Sequence, residues 1–303
     1  MRPAISVCVA TYRRPQGLAR LLDGLRRQKL PPGVGAELLV VDNDPEGAAL
    51  REARPGPDER WLHEPRRNIA HARNRALAEA RGEWLAFVDD DEVPDEEWLA
   101  CHWRMAEGGS WDGLFGPVIP RLERVVTPWL EPERFYARPR HASGTPIGAA
   151  EARTSNAFVR RALFAGRRFD PAYGLSGGSD TELFARMLAG GARFAFCDEA
   201  RVVEWIAPAR HRLGWLARRA FRGGFTHTRM WLRRDRAGAL GRGLPRALAG
   251  LAAAAAALPL RACAGRAPAA RAWLRLCVQA GHLWAYAGRP FEEYREAGDV
   301  PGT

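Results

Sequence analysis

Lysine is almost missing from this 303-residue chain: Lys29 is the only one, and arginine supplies the rest of the basic charge. Cysteine is scarce too. Cys8, Cys101, Cys197, Cys263 and Cys277 are odd in number and far apart, with no CxxC pair. That argues against a disulfide framework or a structural zinc site and fits a reducing compartment. No export signal is expected, because the apolar run Ile5–Ala10 breaks at once into Thr11-Tyr12-Arg13-Arg14-Pro15. Ala247–Leu260 is the longest apolar stretch, interrupted by Gly250 and Pro259. It falls short of the roughly 18–20 residues of a spanning helix. Glycine and proline follow no period, which excludes collagen, and a hydrophobic content of 47% excludes wholesale disorder. What is left is a globular chain, long enough for one large domain or two smaller ones.

The net charge of +11 is unevenly placed. Residues 1–200 hold 28 Lys and Arg against 29 Asp and Glu, a balance of −1, whereas residues 201–303 hold 18 against 6, a balance of +12. A basic module joined to a neutral one implies an anionic partner: a phosphate-bearing ligand, nucleic acid or a lipid surface.

Short apolar strands alternate with helices through the first 110 residues. Strands are predicted at 5–10, 37–42, 60–63 and 84–88, and helices at 15–27, 68–81 and 95–107, with Gly82 capping the second helix. The pattern is that of βαβ units and predicts an α/β fold with a largely parallel, doubly covered sheet. Further on, strands are expected at 113–120, 155–160, 193–197 and 201–205, and a helix at 181–190. Beyond Pro208 the chain turns helical and Arg-rich through Arg236, then helical again at 244–260 and 267–287. The predicted division is therefore 1–207 as an α/β unit and 208–303 as a helical, basic region.

Acidic residues cluster where strands end. Asp89-Asp90-Asp91-Glu92 follows the apolar strand Trp84–Val88, and Asp42-Asn43-Asp44 follows Leu38–Val41. In open parallel sheets ligands bind beyond the carboxyl ends of strands. Three adjacent carboxylates there either hold a hard divalent cation or form a solvated turn capping the next helix. Asp42 is either part of the same cleft or an Asx turn. His71, Arg73 and Asn74 lie near a predicted helix start, a place suited to phosphate. In Leu175–Glu182, two glycines precede Asp180, which is either the helix N-cap or a general base at the cleft.

Five segments in order resemble family 2 glycosyltransferases, inverting enzymes of the GT-A fold. They are Ser6-Val7-Cys8-Val9-Ala10-Thr11-Tyr12-Arg13-Arg14, Leu39-Val40-Val41-Asp42-Asn43, Asn68–Asn74, Phe87-Val88-Asp89-Asp90-Asp91 and Gly178-Ser179-Asp180. The resemblance covers about residues 4–206 and implies sugar transfer from a nucleotide-diphosphate sugar donor to a hydroxyl of a glycan or lipid-linked acceptor. It also implies roles. Thr11, Tyr12 and Arg13 line the nucleotide pocket, Asp42 accepts a hydrogen bond from the base, and Arg73 contacts the nucleotide. Asp89 lies near the ribose with Asp90 beside it, Asp91 is the D-x-D ligand of Mg²⁺ or Mn²⁺, and Asp180 is the catalytic base. Ser179 precedes that acid where the family usually has Glu.

Two other readings are weaker. A nucleotidyltransferase would carry a glycine-rich loop after the first strand, where Ala10-Thr11-Tyr12-Arg13-Arg14 has none. A non-enzymatic adaptor using 201–303 would leave Asp42, Asp89–Asp91 and Asp180 without a role. No nucleic-acid partner is expected. Residues 211–225, with Leu213, Leu216, Phe221 and Phe225 at helical spacing, are expected to pack on the α/β unit. Residues 240–290 combine arginines with Trp273, Leu274, Leu276, Leu283 and Trp284. This is the composition of interfacial helices at an anionic membrane. The expected location is cytoplasmic, peripheral on the inner face of the cell membrane.

Overall fold

The computed structural model describes residues 3–291. Strand β1 (Ile5–Thr11) lies inside a seven-stranded sheet, parallel to β2 (Ala36–Asp42) on one side and to β4 (Trp84–Phe87) on the other. β3 (Glu59–His63) runs parallel to β2 at one edge. β8 (Ala157–Arg160) is antiparallel to both β4 and β6 (Gly113–Phe115), and β9 (Phe194–Phe196) closes the other edge parallel to β6. A second, smaller sheet has the order β5 (Glu92–Pro94), β10 (Val202–Ile206), β7 (Val118–Leu122). Helices α1 (Pro15–Arg26), α2 (Ala48–Glu52), α3 (Ile69–Glu79), α4 (Trp98–Glu107), α5 (Pro132–Phe135) and α6 (Ser179–Ala189) fill the connections.

The central strands are apolar through their middles because both sheet faces are covered, with polar residues such as Ser6, Thr11, Glu37 and Asp42 near their ends. Successive residues of β2 point to opposite faces. Leu39 and Val41 join a core with Ala70, Leu77, Leu85 and Phe184, under α3 and α6. Leu38 and Val40 join a second core with Val7, Val9, Leu18, Leu21 and Trp98, under α1 and α4. Register places Thr11 opposite Asp42, so the carboxyl ends of β1 and β2 finish level.

The expected strand 113–120 is two strands, because at Gly116-Pro117 the chain leaves the main sheet for the smaller one. Gly82 is not the helix cap. Helix α3 ends at Glu79 with Ala80 extended, and a Cβ on Gly82 would lie 2.5 Å from the Ser6 nitrogen. Its absence lets the chain pass close to β1.

The C-terminal region is helical, as expected: α7 (Leu213–Arg234), α8 (Arg236–Cys263, with a π turn at Ala239–Gly243) and α9 (Arg266–Tyr286). α7 packs on α9 through glycines. A Cβ on Gly224 would collide with the Val278 carbonyl oxygen, and one on Gly281 with that of Phe221. The expectation that the apolar tail is too short to cross a membrane needs correction. Ala247–Leu260 lies within a helix of 28 residues, roughly 42 Å at 1.5 Å per residue. By length and composition it is enough to cross. Little of its apolar stretch is buried, and Leu248 (52% exposed) and Leu260 (75%) face outward.

Candidate active site

The acid cluster sits at the carboxyl edge of the main sheet and is tied to the end of β1. Asp90 Oδ2 accepts from Thr11 Oγ1 at 2.9 Å and from the Tyr12 amide at 3.4 Å, while Asp90 Oδ1 accepts from Arg14 Nη1 at 2.7 Å. Helix α1 begins hard against this loop: a Cβ on Gly17 would lie 2.5 Å from the Asp90 carbonyl oxygen. Asp91 Oδ2 is held by two arginines, Arg14 Nη1 at 3.0 Å and Arg210 Nη1 at 2.6 Å. Burial alone would raise the Asp91 pKa, but Arg210 and Arg14 bring it down to about 2. It is ionised at neutral pH.

Its neighbours behave differently. Burial pushes the Asp89 pKa upward, and Asp91, Asp90 and Asp180 add to the push against the attraction of Arg73, whose Nη2 lies 3.1 Å from Asp89 Oδ1. Glu92 is buried and raised well above the ordinary carboxylate range by desolvation and by Asp89. Its Oε2 accepts the Asp89 amide at 2.8 Å. One loop thus contains carboxyls tuned in opposite directions, a pattern that concentrates at functional sites.

Beside it, the loop after β2 is built from side chain to backbone bonds. Asp42 is 0% exposed, and its two oxygens accept the amides of Asp44 at 2.9 Å and Leu50 at 3.0 Å. The structure therefore makes Asp42 a loop-shaping group. A bond to a base would have to use the oxygens' remaining lone pairs. Asn43 donates to the Glu64 and Arg66 carbonyls and accepts from the Asn68 amide, fixing the start of α3, which Asn68 caps. Arg13 adopts φ 52° and grips Asp44 with two bonds of 3.1 Å. Tyr12 lies between the guanidiniums of Arg13 and Arg67, 5.3 and 5.0 Å from its ring centroid.

Asp180 enters from the opposite side. Gly177 and Gly178, at φ 84° and 92°, turn the chain into α6, and a Cβ on Gly178 would strike Thr226 of α7. Gly178 is the N-cap, so Asp180 is not; it lies in the first helical turn. Its oxygens accept the Thr181 amide at 2.8 Å and the Thr154 amide at 3.4 Å. Burial would raise its pKa, yet Arg73, Arg153 and these two amides hold it below the ordinary value. A chain of contacts links this side to Asp91: Arg138 donates to Ser155 and, at 3.3 Å, to Glu204, and Arg210 spans Glu204 (4.0 Å) and Asp91.

The structure thus gathers Thr11, Tyr12, Arg73, Asp89, Asp90, Asp91 and Asp180 around one cleft, with Asp42 and Arg13 engaged in the adjoining loop. Sequence reading missed Arg14, Glu92, Arg138, Thr154, Glu204 and Arg210. Arg14 stood beside a chosen residue, but nothing in the spacing marks Arg210, which arrives from 119 positions away.

The family model for glycosyl transferase family 2 matches residues 6–167. Succinoglycan biosynthesis protein ExoM of Rhizobium meliloti is 37% identical over 238 residues, 75% of this chain and 74% of that protein. Glycosyltransferase AglE of Haloferax volcanii is 26% identical over 242 residues, 76% of this chain and 75% of that one. Among solved structures, the mannosyltransferase PcManGT of Pyrobaculum calidifontis, in complex with GDP-Man and Mn²⁺, aligns with TM-score 0.64 at 22% identity over 96% of this chain and 89% of that one. S. aureus TarS with UDP aligns with TM-score 0.53 at 17% identity over 96% and 93%. These likenesses give the sheet and its carboxyl-edge cleft the GT-A architecture. On the strength of the matched model and the 37% identical relative, the chain belongs to glycosyltransferase family 2.

Proposed function

We propose that the protein is an inverting glycosyltransferase that moves a sugar from a nucleotide-diphosphate donor to an acceptor hydroxyl during cell-surface polysaccharide or glycolipid assembly. The observation that carries this reading is Asp180, a half-buried carboxylate kept ionised beside Arg73 and Arg153, in the cleft that also holds Asp91. The name of the ExoM relative, with its role in succinoglycan biosynthesis, supports a polysaccharide product.

In this mechanism Asp180 takes the proton of the acceptor hydroxyl as its oxygen attacks the anomeric carbon. The bond to the donor's phosphate oxygen breaks with its electron pair, and the nucleoside diphosphate leaves from the opposite face, which inverts the centre. Tyr12, Arg13, Arg73 and Asp89 position the nucleotide. Arg14 and Arg210 bring positive charge to the leaving diphosphate. Among the described residues, no group of three or more His, Cys, Asp or Glu is set to hold a metal. The donor chemistry still fits Mg²⁺ or Mn²⁺, since Asp91 offers an ionised hard oxygen next to Asp89. Such an ion, held by Asp91, would neutralise charge on the diphosphate.

Residues 1–207 serve as the catalytic unit in this reading, and 208–303 as a basic attachment. α8 exposes Leu240, Leu248 and Leu260, and Trp273 and Trp284 of α9 are also exposed, within a region of charge +12. An exposed apolar surface flanked by arginines suits peripheral contact with an anionic membrane on the cytoplasmic face. The deciding experiment is a panel of sugar nucleotides assayed for Mn²⁺-dependent release of nucleoside diphosphate, with Asp180→Asn as control. Release from none of them would reject the reading.

A further inference from the structure

One hydroxyl beside the cleft is left without a bond. Thr154 is 1% exposed, and its Oγ1 has no hydrogen-bond partner among the described residues. An unmatched buried hydroxyl costs free energy, so such groups are satisfied by protein or by ordered water. Thr154 also lines a cavity of about 10 Å³ beneath the cleft. Arg73 and Asp89 line it too, and Cys8, Ala76 and Phe87 give it apolar walls. The segment cannot shift to close it. The Thr154 amide is committed to Asp180, and the Ser155 hydroxyl accepts from Arg138. Next comes Asn156 at φ 72°, 0% exposed, whose Nδ2 donates to the Pro117 and Ala200 carbonyls at 3.0 and 2.7 Å. Its Oδ1 accepts from Trp98 Nε1 at 2.8 Å.

Size and lining decide what fits. A water needs roughly 10–15 Å³ and about two to four polar partners, so the cavity takes one and nothing larger. Thr154 Oγ1 can both donate and accept. Arg73 gives one N–H to Asp89 at 3.1 Å and carries others, and the Asp89 carboxylate can accept beyond that bond. A cation would meet the Arg73 guanidinium and an anion the Asp89 carboxylate, so the guest is neutral. We propose that one water is built into the protein here, joining Thr154, Arg73 and Asp89. Its role rests on the glycosyl-transfer reading above. Arg73 and Asp89 face the nucleotide, while the Thr154 main chain meets the base, Asp180. The water holds these two sides in register, which makes Thr154 a positioning residue that acts through Asp89 and Asp180.

The test pairs Thr154→Val, which keeps the shape and removes the hydroxyl, with Thr154→Ser, which keeps the hydroxyl. Crystals of the full chain, free and with UDP or GDP, should show a water within about 3.2 Å of Thr154 Oγ1. Urea denaturation gives an independent sign. With the water in place, Thr154→Val removes a bond and raises the unfolding constant about 2- to 10-fold; with an unmatched hydroxyl, the same change lowers it about 5- to 100-fold. In transfer assays Thr154→Val should lower kcat about 10-fold, within the loss that a misplaced group causes, and Thr154→Ser should keep most of the rate. No ordered water in the free crystal, or a lowered unfolding constant, overturns the proposal. A nucleotide oxygen in the cavity of the nucleotide-bound crystal would reassign it to the donor and overturn the proposal too. Full kcat in Thr154→Val overturns the positioning role. Wild-type protein that releases no nucleoside diphosphate from any sugar nucleotide counts instead against the glycosyltransferase reading, and the crystal and the denaturation still decide the water.

Discussion

Replacing Asp180 with Asn removes one negative charge and little else. The amide side chain would still accept the Thr181 N–H through its carbonyl oxygen. Its NH₂ would face the Thr154 N–H, losing one bond of 3.4 Å, about 1 kcal/mol. The protein should fold. Chemistry should suffer far more, because proton transfer by a placed side chain contributes about 10²–10⁴-fold. At about 1.36 kcal/mol per tenfold, that is about 3–5 kcal/mol of barrier. Single-turnover transfer, with donor affinity measured separately, should show a rate loss on that scale and a nearly unchanged donor Kd. The pH profile adds an independent check. Asp180 is held below the ordinary carboxylate range, so it stays ionised as pH falls. The acid limb of kcat should therefore lie below the range of a normal aspartate, and the Asp180→Asn variant should lack it. A variant that loses donor affinity but keeps its rate would refute the reasoning and leave Asp180 as a structural member of the α6 first turn.

Asp91→Ala should abolish Mn²⁺-dependent turnover and, by removing an ion-pair partner of both Arg14 and Arg210, also cost about 2 kcal/mol of stability. The Asp91 pKa is depressed in the fold from 3.8 to about 2, so this contribution is full above pH 4 and fades as pH falls through 2. Denaturation of both proteins across that window should show the gap closing. Gly178→Ala combines a φ of 92° with collision against Thr226, so a loss of about 1–3 kcal/mol is expected, with reduced kcat. Thr226→Ala in the same chain should relieve the collision but not the strained φ, and melting curves would show partial rescue. Full-length protein should float with anionic vesicles at low salt, and Leu248→Glu with Leu260→Glu should abolish it. Wild-type protein that stays at the bottom of the gradient rejects the membrane reading.

The alternation of strands and helices is legible because buried parallel strands carry uninterrupted apolar runs. Val7, Val40 and Leu85 mark theirs without ambiguity. Strand β5 is not, since three residues carry no period, and the split at Gly116-Pro117 is decided by pairing with β10 rather than by local preference. The site divides in the same way. Asp89–Asp91 announce themselves by position after a strand, and Asp180 by position at the start of a helix. Arg210 reaches Asp91 from a distant segment, with Glu204 and Arg138 joined to it in turn, and one more arginine in an arginine-rich chain gives no signal of its own. The length of the tail helix escapes a count of apolar runs, because a helix also continues through glycine and scattered arginine.

The glycine contacts between α7 and α9 have a mechanical meaning. With backbone touching backbone at Gly224 and Gly281, neither helix can slide along the other without first being prised apart. α9 in turn carries α8, so whatever surface α8 rests on stands at a set height from the turn that bears Asp180. An enzyme mounted on so stiff a spacer would measure its acceptor by reach. Hydroxyls presented at one distance from the surface would meet the base, and those on shorter or longer chains would pass it by, a length selection made without any contact to the sugars themselves.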